Sequence, residues 1–338
     1  MTQPWNTFLT QAGAEIAGDR VRFPDPSAAP DGCQLVPLTH LALIHCSGEE
    51  AAPFLQNLLS SDIKALGAGN AAWSSFNSPK GRMLASLLSY RDADGYGLLL
   101  AADIAPATLK RLTMYVLRSK VSLSASEAVM IGLCGTGTSE VLAAAGLNAP
   151  ETTLAQTESG GVRCLRLPAE SYILITEADD AAALWQRLNE AGARPAGTDA
   201  WQLAMIRAGL PLVSAATQEE FVAQMLNFEL IGGVSFQKGC YPGQEIVART
   251  QYLGKLKQRM FRVRVPAEHV PAAGEDLYTP KFGEQSAGKI VMAAPSSEGN
   301  HEALAVLRIS CAEAGGVHIG TPQGPELEIL DLPYPLDE

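Results

Sequence analysis

The sequence has no apolar run approaching the roughly 20 residues needed to cross a bilayer. Its opening stretch, MTQPWNTFLTQAGAEIAGDR, lacks the basic start and unbroken apolar centre of a secretion signal. The cytoplasm is therefore the expected location, with no membrane partner. A C-x-x-C pair is also missing. Cys33, Cys46, Cys134, Cys164, Cys240 and Cys311 are scattered, so neither a disulfide framework nor a metal site is indicated. Positive charge is scarce: 25 Lys and Arg stand against 36 Asp and Glu, a net charge of −11, which argues against a surface that grips phosphates broadly. Direct nucleic-acid binding is not expected.

What is present is enough apolar residue for a buried core. The chain is 47% hydrophobic and 18% charged, far from the composition of a disordered polypeptide. Its 338 residues exceed one ordinary domain, so two or three are expected. Residues 1–34 end in the proline-rich FPDPSAAPDG and read as an extended arm. A strand LALIHC (41–46) then precedes a helix over SGEEAAPFLQNLLSS, with Ser47 and Glu50 at capping-box spacing. RMLASLLSY and GYGLLLA flank Asp92 to Gly95 as a hairpin in which Gly95 can supply positive φ. A helix with Asp103 at its N-cap and the strand VSLS complete a β-α-β-β-α-β order over 35–125. Residues 126–200 repeat that order, with helices stopped by Gly146 and Gly192. The expected fold is α+β: two ferredoxin-like β-α-β-β-α-β modules, a segment 201–254 packing back on them, and a small C-terminal β-barrel over 255–338.

One segment stands apart chemically. From Lys238 to Arg264 seven basic residues (Lys238, Arg249, Lys255, Lys257, Arg259, Arg262, Arg264) face one acid, Glu245. Such a cluster attracts carboxylate or phosphate, although Arg262 and Arg264 also fit a solvated strand face. Within it, KGCYPGQE reads as a presented loop: Gly239 and Gly243 permit unusual backbone angles and Pro242 stiffens the turn. A cysteine beside a lysine can have its thiol pKa lowered, and the thiolate is the nucleophile and metal ligand. Inert packing is the alternative for Cys240. Gln244 and Glu245 can hydrogen-bond a heterocycle carrying adjacent N–H groups, or Glu245 can simply start a helix.

GVSFQKGCYPGQEIVAR (233–249) closely resembles the signature of the YgfZ family of folate-binding proteins, relatives of the glycine-cleavage aminomethyltransferases. Further segments stand in family order: 35–63, SPKGRM (78–83), YVLRSKV (115–121), WQLAMIRAGLPLV (201–213), FVAQMLN (221–227) and the closing LPYPLDE. The resemblance implies a three-domain ring, tetrahydrofolate as cofactor, and support of iron–sulfur cluster assembly or repair in client enzymes, including tRNA-modifying ones. It places the functional thiol on Cys240 and a folate-contacting tryptophan on Trp201. Lys238, Tyr241, Gln244, Glu245 and Arg249 are the further candidate contacts in the segment. Three departures matter. Leu41 stands near the family's second folate-contacting tryptophan; NSPKGRMLAS offers Asn77, Lys80 and Arg82 but no carboxylate; and Arg207 replaces a glutamate of the aminomethyltransferases. Aminomethyl transfer without those carboxylates lacks its acid–base groups, so a folate-dependent one-carbon transferase is the second reading. One cysteine cannot hold a cluster alone, because clusters take about four thiolates. Iron–sulfur client or assembly proteins are the implied partners.

Overall fold

Apolar alternation sets the strands of this chain and 3.6-residue spacing its helices. The computed structural model describes residues 3–24, 32–252, 254, 256–296 and 299–336. The chain opens with α1 (Gln3–Gln11), β1 (Glu15–Ala17), β2 (Arg20–Arg22), β3 (Cys33–Pro37), β4 (Leu41–Ser47) and α2 (Ala51–Gln56). Then come β5 (Ala71–Asn77), β6 (Met83–Arg91), β7 (Gly95–Ala101), α3 (Ala105–Val116), β8 (Ser122–Ala125), β9 (Val129–Gly135) and α4 (Thr138–Ala144). β10 (Gln156–Ser159), β11 (Val162–Leu167), β12 (Ser171–Thr176), α5 (Ala181–Glu190), β13 (Arg194–Pro195) and α6 (Thr198–Arg207) follow. A 3-10 turn (Ala223–Leu226) and α7 (Gln244–Tyr252) precede β14 (Gln258–Val265), β15 (Asp276–Tyr278), β16 (Gly288–Pro295), β17 (His301–Arg308), α8 (Ile309–Ala312), β18 (His318–Ile319) and β19 (Glu328–Leu330).

These elements divide into two compact units. Unit 1 comprises residues 1–51, 66–72 and 88–204; unit 2 comprises 52–65, 73–87 and 205–338. In unit 1 a six-stranded sheet runs β10-β11-β12-β9-β3-β13, antiparallel except for the parallel β13/β3 pair. Its core gathers Leu35, Ile131, Leu133, Tyr172, Leu174 and Trp185. A five-stranded sheet has the order β5-β6-β7-β4-β8. Unit 2 carries the antiparallel sheet β18-β15-β16-β17-β14-β19, packed on Val263, Leu277, Ile290 and Leu307.

Several sequence expectations change here. The first residues are not an extended arm: α1 buries Trp5 and Leu9, one turn apart, and Trp5 meets Trp185 edge-on at 5.8 Å. Most of FPDPSAAPDG lies outside the described residues. The helix after β4 is only Ala51–Gln56, and Glu50 makes no capping box; its carboxylate accepts the Lys120 backbone N–H at 2.6 Å. At the helix's last residue the Gln56 side chain reaches forward and accepts the Ile63 N–H at 2.8 Å. Gly95 does not adopt positive φ; a Cβ there would strike the Cys46 carbonyl across the β4/β7 pair, so closeness of strands demands the glycine. α3 takes Ile104, not Asp103, at its N-cap. Gly146 and Gly192 do take positive φ at the ends of α4 and α5.

Candidate functional site

In unit 2 the signature segment forms a loop, 238–243, that leads into α7. Lys238 fixes its start. The Lys238 ammonium donates to the carbonyl oxygens of Gln56 at 2.6 Å, Leu59, and Ser61 at 2.9 Å, just beyond the end of α2. Helix ends leave carbonyls without partners, and a cation there is doubly favoured by hydrogen bonding and by the dipole. An ammonium has three N–H donors, and all are taken. Lys238 therefore has no hydrogen left for an anionic ligand. Burial pulls its pKa down from 10.5 to about 8, with nearby Asp62 acting the other way. Its Nζ also sits 5.2 Å from the centre of the Tyr241 ring.

Gly243 fixes the loop's end. Its φ is +77°, and an added Cβ would fall 2.5 Å from the Gly81 Cα and 2.7 Å from the Ser78 carbonyl oxygen. Only glycine permits both the backbone angle and this approach. The opposing turn is closed by Ser78 N–H to Arg82 at 2.8 Å and Gly81 N–H to Ser78 at 2.9 Å. Between the two anchors, Cys240 is exposed while Tyr241 is buried, its hydroxyl pKa pushed up to about 12 by that burial. Gln244 opens α7, exposed Glu245 lies in its first turn and exposed Arg249 in its last, each where the helix dipole favours its charge.

All six cysteines are described, and Cys240 alone is exposed. Burial raises the thiol pKa of Cys33, Cys46, Cys134 and Cys164 to about 12, which keeps them protonated and inert.

The basic run does not form one patch. Arg259 is bound to Glu229 at 2.8 Å and to the Asn227 side chain at 3.2 Å, and Arg264 pairs with Glu328. Lys255 lies outside the described residues. Arg207 grips buried Glu302 on β17, with Nη2 to Oε1 at 2.8 Å and Nε to Oε1 at 3.1 Å. The residue that replaces a glutamate of the aminomethyltransferases is thus committed to an ion pair inside unit 2. Sequence spacing gave no sign of this partner, 95 residues away.

In unit 1, Trp201 lies on α6 and is 2% exposed. Its ring packs onto β9, where a Cβ on Gly132 would fall 2.6 Å from it and 2.9 Å from Leu38. Leu38 also lines a cavity of about 640 Å³, together with Leu41, Leu43, Met130, Asp19 and Glu127. Leu41 thus belongs to a cavity wall. One further group of unit 1 carries no mark in the sequence: His45 Nε2 on β4 lies 3.1 Å from Asp92 Oδ2 and 3.5 Å from Asp94 Oδ1 of the hairpin turn. Those three side chains could hold a metal ion, and the imidazole is also hydrogen-bonded directly to Asp92.

Residues 26–235 match the family described as the GCVT N-terminal domain. The chain is 32% identical over 321 residues to the tRNA-modifying protein YgfZ of Yersinia pseudotuberculosis, covering 93% of this chain and 96% of that one. It is 30% identical to the protein of the same name from Edwardsiella ictaluri, covering 91% and 96%. Among solved structures it is similar to the glycine cleavage system aminomethyltransferase T of Bartonella henselae, with a TM-score of 0.79, 19% identity and coverage of 98% and 97%. That likeness is one of fold.

Proposed function

The chain belongs to the YgfZ family, and on that footing we propose that it is a tetrahydrofolate-binding accessory protein supporting assembly or repair of iron–sulfur clusters in client enzymes, tRNA-modifying ones among them. The observation that carries this reading is the state of Cys240. Five cysteines are buried in cores, whereas this one is held out on a loop fixed at both ends, by Lys238 and by Gly243. A fixed, accessible thiol is suited to a brief bond with sulfur, with iron or with a client protein. The strand orders β6-β7-β4-β8 and β12-β9-β3-β13 support reading residues 35–200 as two ferredoxin-like modules, the second with β3 inserted.

Tetrahydrofolate fits the chemistry of the chain on one observation: buried amide groups of unit 2, Asn77 and the Oε1 of Gln224, lack hydrogen-bond partners among the described residues. A planar heterocycle with N–H and carbonyl edges would satisfy them. When bound, the folate would supply a one-carbon carrier or a redox-active reduced ring. Aminomethyl transfer is disfavoured, because Arg207 is engaged by Glu302 and the segment 77–86 contains no carboxylate. The cytoplasm stays the proposed location; among the described residues no helix is long and apolar enough to cross a membrane.

Two measurements test the proposal. Calorimetry of the wild type with tetrahydrofolate should show saturable binding. In a strain lacking the protein, Cys240→Ala should leave iron–sulfur enzyme activity unrestored while melting at the wild-type temperature, since an exposed side chain adds little to stability. Full restoration by Cys240→Ala would remove the thiol from the function.

A further inference from the structure

Asn77 sits between the two anchorages of the thiol loop. On one side, Lys238 binds the carbonyls of Leu59 and Ser61, and this stretch pairs with β5: Leu59 bridges Phe76, and the Ser60 N–H donates to the Ser75 carbonyl at 3.0 Å. On the other side, Gly243 lies against Ser78 and Gly81 in the turn that follows β5. Residue 77 is the link between Phe76 and Ser78. It is an asparagine, 2% exposed, and neither its Nδ2 nor its Oδ1 has a hydrogen-bond partner among the described residues.

A buried amide with both ends unmatched destabilises the fold that holds it, and leucine of similar volume would serve packing better. Such groups are retained where something other than packing uses them. The same neighbourhood offers a second unmatched group. Gln224 is 1% exposed, its Nε2 donates to the Val247 carbonyl of α7 at 2.7 Å, and its Oε1 has no partner. Val222, two residues earlier, bridges Arg82 of the turn after β5. Asn77 thus offers an N–H pair and an acceptor oxygen, and Gln224 offers a further acceptor on the segment that bridges the same turn. That set suits a ring edge carrying both N–H donors and a carbonyl, as the 2-amino-4-oxo edge of a reduced pterin does; a phosphate or an aliphatic chain would leave half of it unmatched.

We propose that Asn77 reads the pterin edge of tetrahydrofolate, donating through Nδ2 to the ring carbonyl and accepting at Oδ1 from a ring N–H. The assignment rests on the folate reading above. Asn77 stands between the two stretches that anchor loop 238–243, Phe76 and Ser75 through Leu59 and Ser60, and Ser78 and Gly81 through Gly243, so a ring bonded to it bears on both anchorages. Ligand binding and the reactivity of Cys240 are therefore coupled.

The test uses the full chain, with tetrahydrofolate as probe. Asn77→Leu should bind about 10- to 100-fold more weakly than wild type, the cost of losing a pair of buried hydrogen bonds. Without ligand it should melt at or above the wild-type temperature, a result that a structural role for Asn77 would not give. Equal binding by Asn77→Leu and wild type overturns the inference and leaves the folate reading standing. Weaker binding with a lower melting temperature also overturns it, since Asn77 is then a structural amide satisfied by water. If Asn77→Leu does not fold, the wild type decides: iodoacetamide should alkylate Cys240 at a different rate with and without tetrahydrofolate, and an unchanged rate overturns the inference. A wild type that does not bind tetrahydrofolate removes the folate reading, and this inference falls with it.

Discussion

The surroundings of Trp201 in unit 1 and of Cys240 in unit 2 hold their central side chain by opposite means. Trp201 is locked by shape: it is 2% exposed, and a Cβ on Gly132 would meet both its ring and Leu38. Cys240 is held by its backbone alone, through one ammonium at Lys238 and one glycine contact at Gly243, and its side chain is left in solvent. Apolar packing spreads its energy over many weak contacts, each felt when volume changes. Polar anchoring concentrates it in a few groups, and the thiol between them stays free to react. The first arrangement suits a wall, the second a tethered tool.

The sharpest way to break this contrast is to add volume beside Trp201. Gly132→Val places carbons where the indole and Leu38 already are, and overpacking of that kind costs about 1–3 kcal/mol, here toward the upper end because two rigid groups are met at once. Thermal melting should show the loss as a drop of many degrees or as failure to fold. A variant within a degree of wild type would mean that the indole moves easily, and the claim of a locked wall would fail.

Acid tests the same wall electrostatically. His40 stands between the cavity-lining residues Thr39 and Leu41, is completely buried, and its Nδ1 has no partner among the described residues. Burial first, and Arg20 second, lower its pKa from 6.5 to about 4. The folded state thus holds the neutral ring and the unfolded chain takes up the proton earlier. Its contribution is fully present above pH 6.5 and is lost as pH falls from 6.5 toward 4. Between pH 6.5 and 5 this removes roughly 2 kcal/mol, one pKa unit being worth about 1.4 kcal/mol. Urea midpoints measured across that range should fall in the wild type and fall less steeply in His40→Leu. Parallel curves would show that His40 is not the group that titrates.

How much of this was legible in the sequence follows the same divide. The strands of unit 1 could be read because their apolar runs, VMIGLCG and SYILIT, are unbroken and bounded by turn residues. α1 was hidden: it has one apolar turn, Trp5 to Leu9, and the proline-rich stretch behind it dominated the reading. The glycines of KGCYPGQE announced a loop, and the exposure of Cys240 agrees with that. The loop's anchors were not legible, since Lys238 reaches carbonyls some 180 residues earlier and backbone oxygens leave no mark in a sequence. The basic run misled for a related reason. Charge along a chain says nothing of partners such as Glu229 and Glu328, which neutralise Arg259 and Arg264 in space. In the sequence Asn77 stands out only as not being a carboxylate; burial without a partner is a property of the fold.

The smallest expected effect falls on the polar anchor itself. Lys238→Met keeps the alkyl stem and removes three hydrogen bonds from the end of α2, but it also relieves the burial of a charge. The two oppose each other, so the net loss should be only about 1–2 kcal/mol. The pH dependence separates them. With its pKa lowered from 10.5 to about 8, the lysine carries its burial cost in full below pH 8 and sheds it between pH 8 and 10.5, where the folded state releases its proton before the unfolded one. The wild type should therefore gain stability relative to Lys238→Met across that window. The loop should respond more than the fold: alkylation of Cys240 and proteolysis near Gly239 should accelerate in Lys238→Met at neutral pH, because one of two anchors is gone. If the loop stays as protected as in wild type, Gly243 alone holds it, and the thiol is tethered by shape, as Trp201 is, rather than by charge.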